Sequence, residues 1–428
     1  MTKKITAALL GAGGRGAVAY APYALRFPDE IEFVAVAEPD AERREKFVGL
    51  YNLSEENTFL TWQQLLDGPK LADAILICTQ DQMHFEPTIK ALEKGYHVLL
   101  EKPMSNNPEE CYVMGEYAKK YDRVFAVCHV LRYNDFFVNV KKLLEGGEIG
   151  SLMTIQHLEN VGYWHQAHSF VRGNWRNSAE SSPMILQKSC HDLDILSWLV
   201  GEECTKVSSF GYLSHFKEEN APVGAPQRCT DGCPVRDECA FYAPRFYLID
   251  KNDWQGKYLR SYLTNDTSPE GIMKALREGP YGRCVYHCDN DVVDHQVVNL
   301  EFSNQVTASF VMNAFSNLSE RIIRLYGTKG EIYGDMDRNV IQVTHFTSGI
   351  TKEIRIPASD TGHGGGDDGI MKDFVALVQS GEGSHSRSSA VVSVQSHLMA
   401  FAAETSRKEQ RVIQMSEYVE NLRQTTTV

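Results

Sequence analysis

An α/β half built on a doubly wound parallel sheet, followed by an α+β half built on a mostly antiparallel sheet, is the architecture that this 428-residue chain predicts. Three observations carry it. From Ile5 to His129, short apolar runs alternate with amphipathic stretches. From Val297 to Phe346, strand-like runs follow one another with only short turns between them. Between these textures lies a poorly periodic Cys-, Pro- and Tyr-rich segment, about residues 213–290, that reads as an insertion without a core of its own. Residues 1–130 are assigned to the first domain and 131–428 to the second, a length that suits two cores better than one.

In the first half the strand candidates are Ile5–Leu10, Ile31–Ala37, Ala74–Thr79, Tyr96–Leu100 and Val124–Cys128. Their unbroken apolar composition fits burial on both faces. Helix candidates fall near Ala17–Phe27, Ala41–Leu50, Phe85–Lys94 and Glu109–Tyr121, the last opened by Asn106-Asn107-Pro108. After a linker at Leu131–Phe136 and a helix ending near Gly146-Gly147, strands are expected at Val297–Phe302, Val306–Met312, Arg321–Gly327 and Val340–Phe346. Helix returns from Gly369 onward, with a C-terminal helix at about 385–408 marked by an apolar stripe at helical spacing.

The formal net charge of −13 argues against nucleic-acid or anionic-membrane partners, which need a basic footprint. No apolar stretch approaches the length of a bilayer span. Lys3 and Lys4 precede a short apolar run that ends in a glycine loop rather than a cleavage pattern, so the run reads as a strand and not as a signal peptide. A cytoplasmic location follows as the expectation. Of the ten cysteines, Cys78, Cys111, Cys128 and Cys190 lie in apolar or helical runs, where free thiols pack as small hydrophobes.

Gly11, Gly13 and Gly16 form G-x-G-x-x-G directly after the first strand, with Gly14 and Arg15 inside the pattern. A dinucleotide needs this arrangement: a tight turn, backbone access to the pyrophosphate, and close packing of the helix whose N-terminus faces the anion. Glu38 ends the next strand 22 residues past Gly16. A carboxylate there accepts the adenosine ribose hydroxyls and repels a 2′-phosphate, so NAD is expected in preference to NADP. Arg43 and Arg44, within the next helical turn, are the residues that could offset this preference.

The stretch from Asp73 to Ser105 carries Thr79-Gln80 at a strand end, His84, Ala91-Leu92, Gly95, His97-Val98 and Glu101-Lys102-Pro103. It resembles the Gfo/Idh/MocA family, the relatives of glucose-fructose oxidoreductase and inositol dehydrogenase, and the resemblance extends to SHLMAFAAETSR at Ser396–Arg407. It implies a Rossmann domain binding NAD(P) and an oxidoreductase acting on a secondary hydroxyl of a sugar, cyclitol or glycoside. Cofactor contacts are implied at Thr79, Gln80, His84, Glu101, Lys102 and Arg132, with Lys102 beside the nicotinamide and the reacting hydroxyl. Independently, open parallel sheets bind ligands outside the carboxyl ends of their strands, and Lys102 falls at such an end. A cationic donor there can hydrogen-bond charge developing on a reacting oxygen.

Removing hydride from a carbinol also requires a proton acceptor. The family pattern supplies a histidine at the start of a second-domain helix, which is His191 here. Many members carry an aspartate four residues earlier; this chain has Gln187, followed by Lys188. Glutamine cannot relay a proton, which leaves Lys188, Asp192 or water for that role, or a different chemistry. Asp192 and Asp194 read equally well as first-turn acids favoured by the helix dipole. Upstream, Tyr163, Trp164, His165, His168, Arg172, Trp175 and Arg176 crowd one short span. Aromatic faces and forked donors suit a hydroxylated ring or an anion, and also suit a loop folded over a core. The glycine-rich His363–Gly369 either lines the same cleft or serves as a connection.

Cys229, Cys233 and Cys239 follow C-x3-C-P-x4-C, and Cys284 and Cys288 make a second C-x3-C pair. A structural zinc on Cys229, Cys233, Cys239 and Cys288, with Cys284 or His287 as a substitute ligand, would hold an irregular insertion in shape. An iron–sulfur cluster and unligated thiols are the other readings. Two rival functions accompany the dehydrogenase: an NAD-dependent glycosidase working by transient oxidation and elimination, and a nucleotide-bound regulator without turnover. The resemblance also implies a homo-oligomer paired through the second sheet, and Thr307 and Ser309 either lie on that face or face water.

Overall fold

The computed structural model describes residues 3–248, 254–381 and 386–426. Residues 249–253 of the expected insertion, and residue 385 at the expected start of the C-terminal helix, lie outside the described residues.

Six strands form a parallel sheet: β1 (Ile5–Leu10), β2 (Ile31–Ala37), β3 (Thr58–Phe59), β4 (Ala74–Ile77), β5 (His97–Leu100) and β6 (Phe125–Val127). Their order is β3-β2-β1-β4-β5-β6. Side chains are buried on both faces, because helices cover each side, and this is why the strands read as apolar runs. Strand order reverses between β1 and β4, so a crevice opens outside their carboxyl ends. The two-residue β3 has no counterpart among the expected strands, since two residues carry no period. Where one helix is expected over Ala17–Phe27, a wide π-type turn at Gly14–Tyr20 precedes a short helix at Pro22–Arg26. Pro22 lacks the amide hydrogen that a continuous helix would use.

The second sheet has nine strands: β7 (Leu152–Asn160), β8 (Cys204–Tyr212), β9 (His295–Phe302), β10 (Thr307–Asn313), β11 (Glu320–Gly327), β12 (Gly330–Asp335), β13 (Val340–His345), β14 (Thr351–Arg355) and β15 (Ile413–Gln414). They run β14-β13-β12-β11-β7-β10-β9-β8-β15. Neighbours are antiparallel except β7 with β10. Strands β7 and β8 escape the sequence reading because His157, Glu159 and Ser209 occupy buried-face positions and interrupt the apolar alternation. Ala308, Phe310 and Met312 lie on the covered face of β10, and Thr307 and Ser309 on the other.

The Cys190–Val200 helix packs on β7 and β10, and the Ala390–Glu409 helix packs on β8 and on the first-domain helix Pro108–Lys120. The Gly366–Ser380 helix returns to the first domain, where Ile370, Met371, Phe374 and Val375 share a cluster with Leu9, Tyr20 and Leu76. Between β8 and β9 the insertion carries helices Ala243–Leu248, Trp254–Ser261 and Pro269–Glu278. It does have apolar cores, contrary to expectation: one around Tyr247, Ile272 and Leu276, the other around Phe216, Phe241 and Val285. Among the described residues no helix is long and apolar enough to cross a membrane.

Where the chain leaves the parallel sheet, Arg132 forks onto Asp194 of the Cys190–Val200 helix, Nε to Oδ2 at 2.7 Å and Nη2 to Oδ1 at 2.8 Å. Its Nη1 donates to the Arg387 carbonyl at 2.6 Å. Both side chains are almost fully buried, so cutting one partner strands the other charge away from water. Arg132→Ala is expected to destabilise the chain by about 3–5 kcal/mol in urea unfolding; a loss no larger than that of an exposed ion pair would show the junction to be loose.

Candidate active site

Gly11 leaves β1 with φ +87°, and a Cβ there would stand 2.5 Å from the Cys78 carbonyl oxygen beyond β4. At Gly16 a Cβ would meet the Gly11 carbonyl oxygen at 2.2 Å. Side chains are excluded at both positions, so the following turn packs directly on the loop. Gly13 and Gly14 are more open: an added Cβ would find Arg43 at 3.6 Å and the Tyr262 hydroxyl at 3.7 Å. Glu38 is buried against the same loop, with Oε2 accepting the Ala12 amide at 2.7 Å and Oε1 the Asp40 amide at 3.0 Å. A close-packed glycine turn with a carboxylate at its edge fits the pyrophosphate and adenosine ribose of a dinucleotide. Arg44 donates to the Glu38 carbonyl at 2.6 Å, whereas the Arg43 Nε stands 3.8 Å from the Glu38 carboxylate on a half-exposed side chain.

Arg15 is engaged by carboxylates. Its Nε donates to Glu101 Oε1 at 2.6 Å and its Nη2 to Asp367 Oδ1 at 2.8 Å. Tyr20 donates to the same Glu101 oxygen at 2.6 Å, and the Lys102 amide donates to Glu101 Oε2 at 2.7 Å. Burial opposes ionisation of Glu101, but Arg15 and Lys102 hold its carboxyl below the usual range. Arg15 and Glu101, expected at the cofactor, thus form a strut that ties the glycine loop to the end of β5 and to the Gly366–Ser380 helix.

Lys102 stands at the carboxyl end of β5. Its Nζ donates to the Gln187 carbonyl at 2.9 Å and to the Gln187 side-chain oxygen at 3.2 Å, so it spans the two domains just ahead of the His191 helix. The Gln187 amide faces Asp81 Oδ2 at 3.3 Å. His191, in the first turn of that helix, is buried, and its Nδ1 has no hydrogen-bond partner among the described residues. Burial, then the nearby Lys102, His129 and His363, push its pKa well below the ordinary histidine value. The imidazole is therefore neutral at pH 7. Its ring centroid lies 6.0 Å from that of His129 and 6.1 Å from that of His363.

Lys188 extends to Glu159, Nζ to Oε1 at 3.2 Å, and Arg321 Nη2 reaches the same oxygen at 2.5 Å. Burial pushes the Glu159 carboxyl up to about 7 and the Lys188 ammonium down. Asp192 is fully engaged, accepting Arg321 Nε at 2.7 Å with His157 Nε2 at the same distance. Lys188 is thus the better placed of the two groups considered for proton relay.

Other expected site residues take different places. Thr79 and Gln80 sit at the exposed end of β4, with the Thr79 hydroxyl donating to the Met83 carbonyl at 3.2 Å. His84 is buried, its ring nitrogens 2.8 Å from the Pro103 carbonyl and 3.1 Å from the Thr79 carbonyl, and so fastens two loops to each other rather than opening on the crevice. His165 lies within the influence of Lys188, Arg321 and Lys102, and Trp164 stacks on it with centroids 5.3 Å apart. Tyr163 packs on Phe241 and Trp175 on Phe170. Arg176 pairs with Asp289 at 2.7 Å and Glu180 at 2.9 Å on the rim. Arg172 is not a substrate donor: it is wholly buried beneath the insertion, bonded to the carbonyls of Arg283 at 2.8 Å and Phe241 at 2.6 Å.

The expected zinc ligands are not assembled. All ten cysteines are free, and among the described residues no three His, Cys, Asp or Glu side chains converge in a geometry that holds a metal ion. Cys288 donates its thiol to the Cys284 carbonyl at 3.2 Å, while Cys229, Cys233, Cys239 and Cys284 line one small cavity.

Sequence reasoning passed over His129, Glu159, Arg321 and His397, which come from segments far apart in the chain, whereas Asp367 lies in the glycine-rich stretch it singled out. Only Glu159 had a local signal, a polar residue in the buried phase of β7. Both rings of His129 and His397 are buried, and burial pushes their pKa values down to about 3 and about 4. The folded state therefore prefers them neutral, whereas the unfolded chain protonates them below pH ~6.5. Stability in urea should be level above pH ~7 and fall as pH drops below ~6.5, with His129→Phe flattening part of that fall; an unchanged slope in the variant would contradict this.

The profile described as "Oxidoreductase family, NAD-binding Rossmann fold" of the GFO_IDH_MocA family matches residues 5–129, and its companion, the C-terminal alpha/beta domain, matches residues 141–415. YteT of Bacillus subtilis (strain 168), named only as an oxidoreductase, is 21% identical over 375 residues, 82% of this chain and 84% of the relative. The scyllo-inositol 2-dehydrogenase (NAD(+)) of the same organism is 27% identical over 218 residues, 49% of this chain, and the match spans 58% of that relative. A solved levoglucosan dehydrogenase in complex with NADH and levoglucosan superposes with TM-score 0.70 at 20% identity, over 96% of this chain and 99% of that one.

Proposed function

Since the chain belongs to the Gfo/Idh/MocA oxidoreductase family, we propose that it is an NAD-dependent dehydrogenase of a secondary hydroxyl on a sugar, cyclitol or glycoside. The observation that carries this reading is the meeting of Lys102 Nζ with Gln187, ahead of the His191 helix, at the carboxyl edge of the parallel sheet. The names of the inositol and levoglucosan relatives support the substrate class.

Bound NAD supplies the hydride acceptor. With that acceptor in place, oxidation of the carbinol to a ketone would also release the hydroxyl proton, which a base of this chain must take. Lys102 Nζ donates a hydrogen bond to the reacting oxygen in place of one of its Gln187 contacts, favouring the charge that builds there. His191, neutral and buried, accepts the proton. Lys188, with Glu159, is the adjoining pair through which a proton leaves the cleft, the role that Gln187 cannot fill. Glu38 favours NAD over NADP by its charge, Arg43 being the nearby cation that works against that preference.

A second reading, the glycosidase that oxidises and re-reduces its substrate without releasing NADH, has one observation in its favour. The insertion lies over the glycine loop, with Tyr262 beside Gly14 and Asn265 Nδ2 donating to Glu42 Oε2 at 2.7 Å. A covered cofactor would survive turnover. Thorough desalting followed by mass spectrometry of the denatured protein separates the two: empty protein supports the dehydrogenase, and stoichiometric retained NAD supports the internal cycle. Ten free thiols are in keeping with a cytoplasmic location. A homo-oligomer through the open face of the nine-stranded sheet belongs to the same reading; Phe210 and Val297, cross-strand partners there, are exposed.

Lys102→Met is expected to lower kcat on a panel of inositols and anhydrosugars by about 10²-fold or more while leaving the NAD Kd within severalfold. Near-normal turnover would remove Lys102 from the chemistry. In the wild type, the acidic limb of kcat/KM should lie below pH ~6.5, because His191 resists protonation; a limb above that value would point to another base.

A further inference from the structure

Arg172 presents an unusual electrostatic problem. A guanidinium is charged at any pH a protein survives, and this one is wholly buried. Its hydrogen bonds go to two carbonyls and, at 3.7 Å, to the sulfur of Cys229; Nη1 has no partner. No ion pair to Arg172 is found among the described residues, and the groups that most favour its charge are Tyr247 and the thiols of Cys229, Cys288 and Cys284. Burying a cation without a counter-charge costs several kcal/mol. Neutral thiols do not repay that cost.

The cavity beside it is small and lined by Cys229, Cys233, Cys239 and Cys284. The two chain pieces are brought together by backbone: Arg228 and Arg283 form an isolated antiparallel bridge, with the Cys229 amide donating to the Gly282 carbonyl and the Cys284 amide to the Gln227 carbonyl, each at 2.9 Å. Gly232, at φ +82°, turns the chain between Cys229 and Cys233. The backbone amides of Phe241 and Tyr286 hydrogen-bond the sulfurs of Cys239 and Cys284, two residues before each, and offset part of the burial that pushes both thiols up. Cys288 has no place in this set, since its thiol is turned onto the Cys284 carbonyl.

We propose that the insertion is a structural zinc site whose ligands are the thiolates of Cys229, Cys233, Cys239 and Cys284, with Arg172 as the buried counter-charge to the site. Four thiolates on one divalent cation carry a net charge of about −2, which answers the uncompensated guanidinium, and soft sulfur donors in tetrahedral number select zinc. In the structure as described the sulfurs do not converge on one point, so binding requires them to turn inward and lose their protons to solvent. Arg172 acts from outside the ligand set, as a positioning residue.

The test is the metal content of the purified full-length protein, measured by mass spectrometry after exhaustive dialysis, together with the absorption spectrum after exchange of the bound metal for Co2+. About one zinc per chain is expected, and the cobalt form should show sulfur-to-metal charge transfer and the strong visible bands of a tetrahedral four-thiolate site. Cys284→Ser should lose the zinc and Cys288→Ser should keep it, and Arg172→Met should lose zinc to a chelator about 10–100-fold faster. Should Cys284→Ser fail to fold, the cobalt spectra of wild type and Cys288→Ser decide the ligand set. Protein that takes up neither zinc nor cobalt, that carries iron, that contains disulfides among these cysteines, or that needs Cys288 would overturn the assignment.

Discussion

The contact on which the rest of the structure depends is the forked pair between Arg132 and Asp194. It joins the last turn of the parallel-sheet domain to the helix that carries His191 three residues earlier, and it is closed from behind by Arg387 and by Ser396 of the long C-terminal helix. A buried, bidentate charge pair is directional where apolar packing is not, so it fixes an angle as well as a distance. Lys102 can meet Gln187 only because that helix is held against the crevice. The Arg15–Glu101–Asp367 strut does the same on the opposite side, pinning the glycine loop to the returning Gly366–Ser380 helix. Two electrostatic clamps thus frame one cleft.

Inside the frame, charge is distributed unevenly. Arg132, Arg15 and Arg321 are each answered by carboxylates, but Lys102 is met by an amide, Gln187. An amide accepts the hydrogen bond without neutralising the cation, which leaves the Lys102 charge available to a substrate oxygen. The same charge, with burial, keeps His191 unprotonated. One amide contact and one burial thus set the charge states of Lys102 and His191.

Much of this was legible in the sequence. Unbroken apolar strands and G-x-G-x-x-G give the parallel sheet because burial on both faces and a side-chain-free turn leave local marks. The Glu-Lys-Pro motif places Lys102 at the carboxyl end of β5, where it meets Gln187. What stayed hidden has physical causes. Strand β7 carries His157 and Glu159 in its buried phase, so its alternation looks broken. His84 and Arg172 have the composition of site residues but serve backbone carbonyls, a distinction that only tertiary placement makes. His397 reaches the site from the far end of the chain, where no spacing rule extends. The C-x3-C pairs look alike in sequence, and only the fold turns Cys284 into the small cavity and the Cys288 thiol onto the Cys284 carbonyl.

The most direct test of the account is a crystal structure of the protein with NAD bound. The account predicts the nicotinamide C4 facing the space between Lys102 Nζ and the His191 ring, with the Glu38 carboxylate transferred from the Ala12 amide to the adenosine ribose. A nicotinamide lodged away from Lys102 and His191, with Gln187 still occupying Lys102, would contradict it.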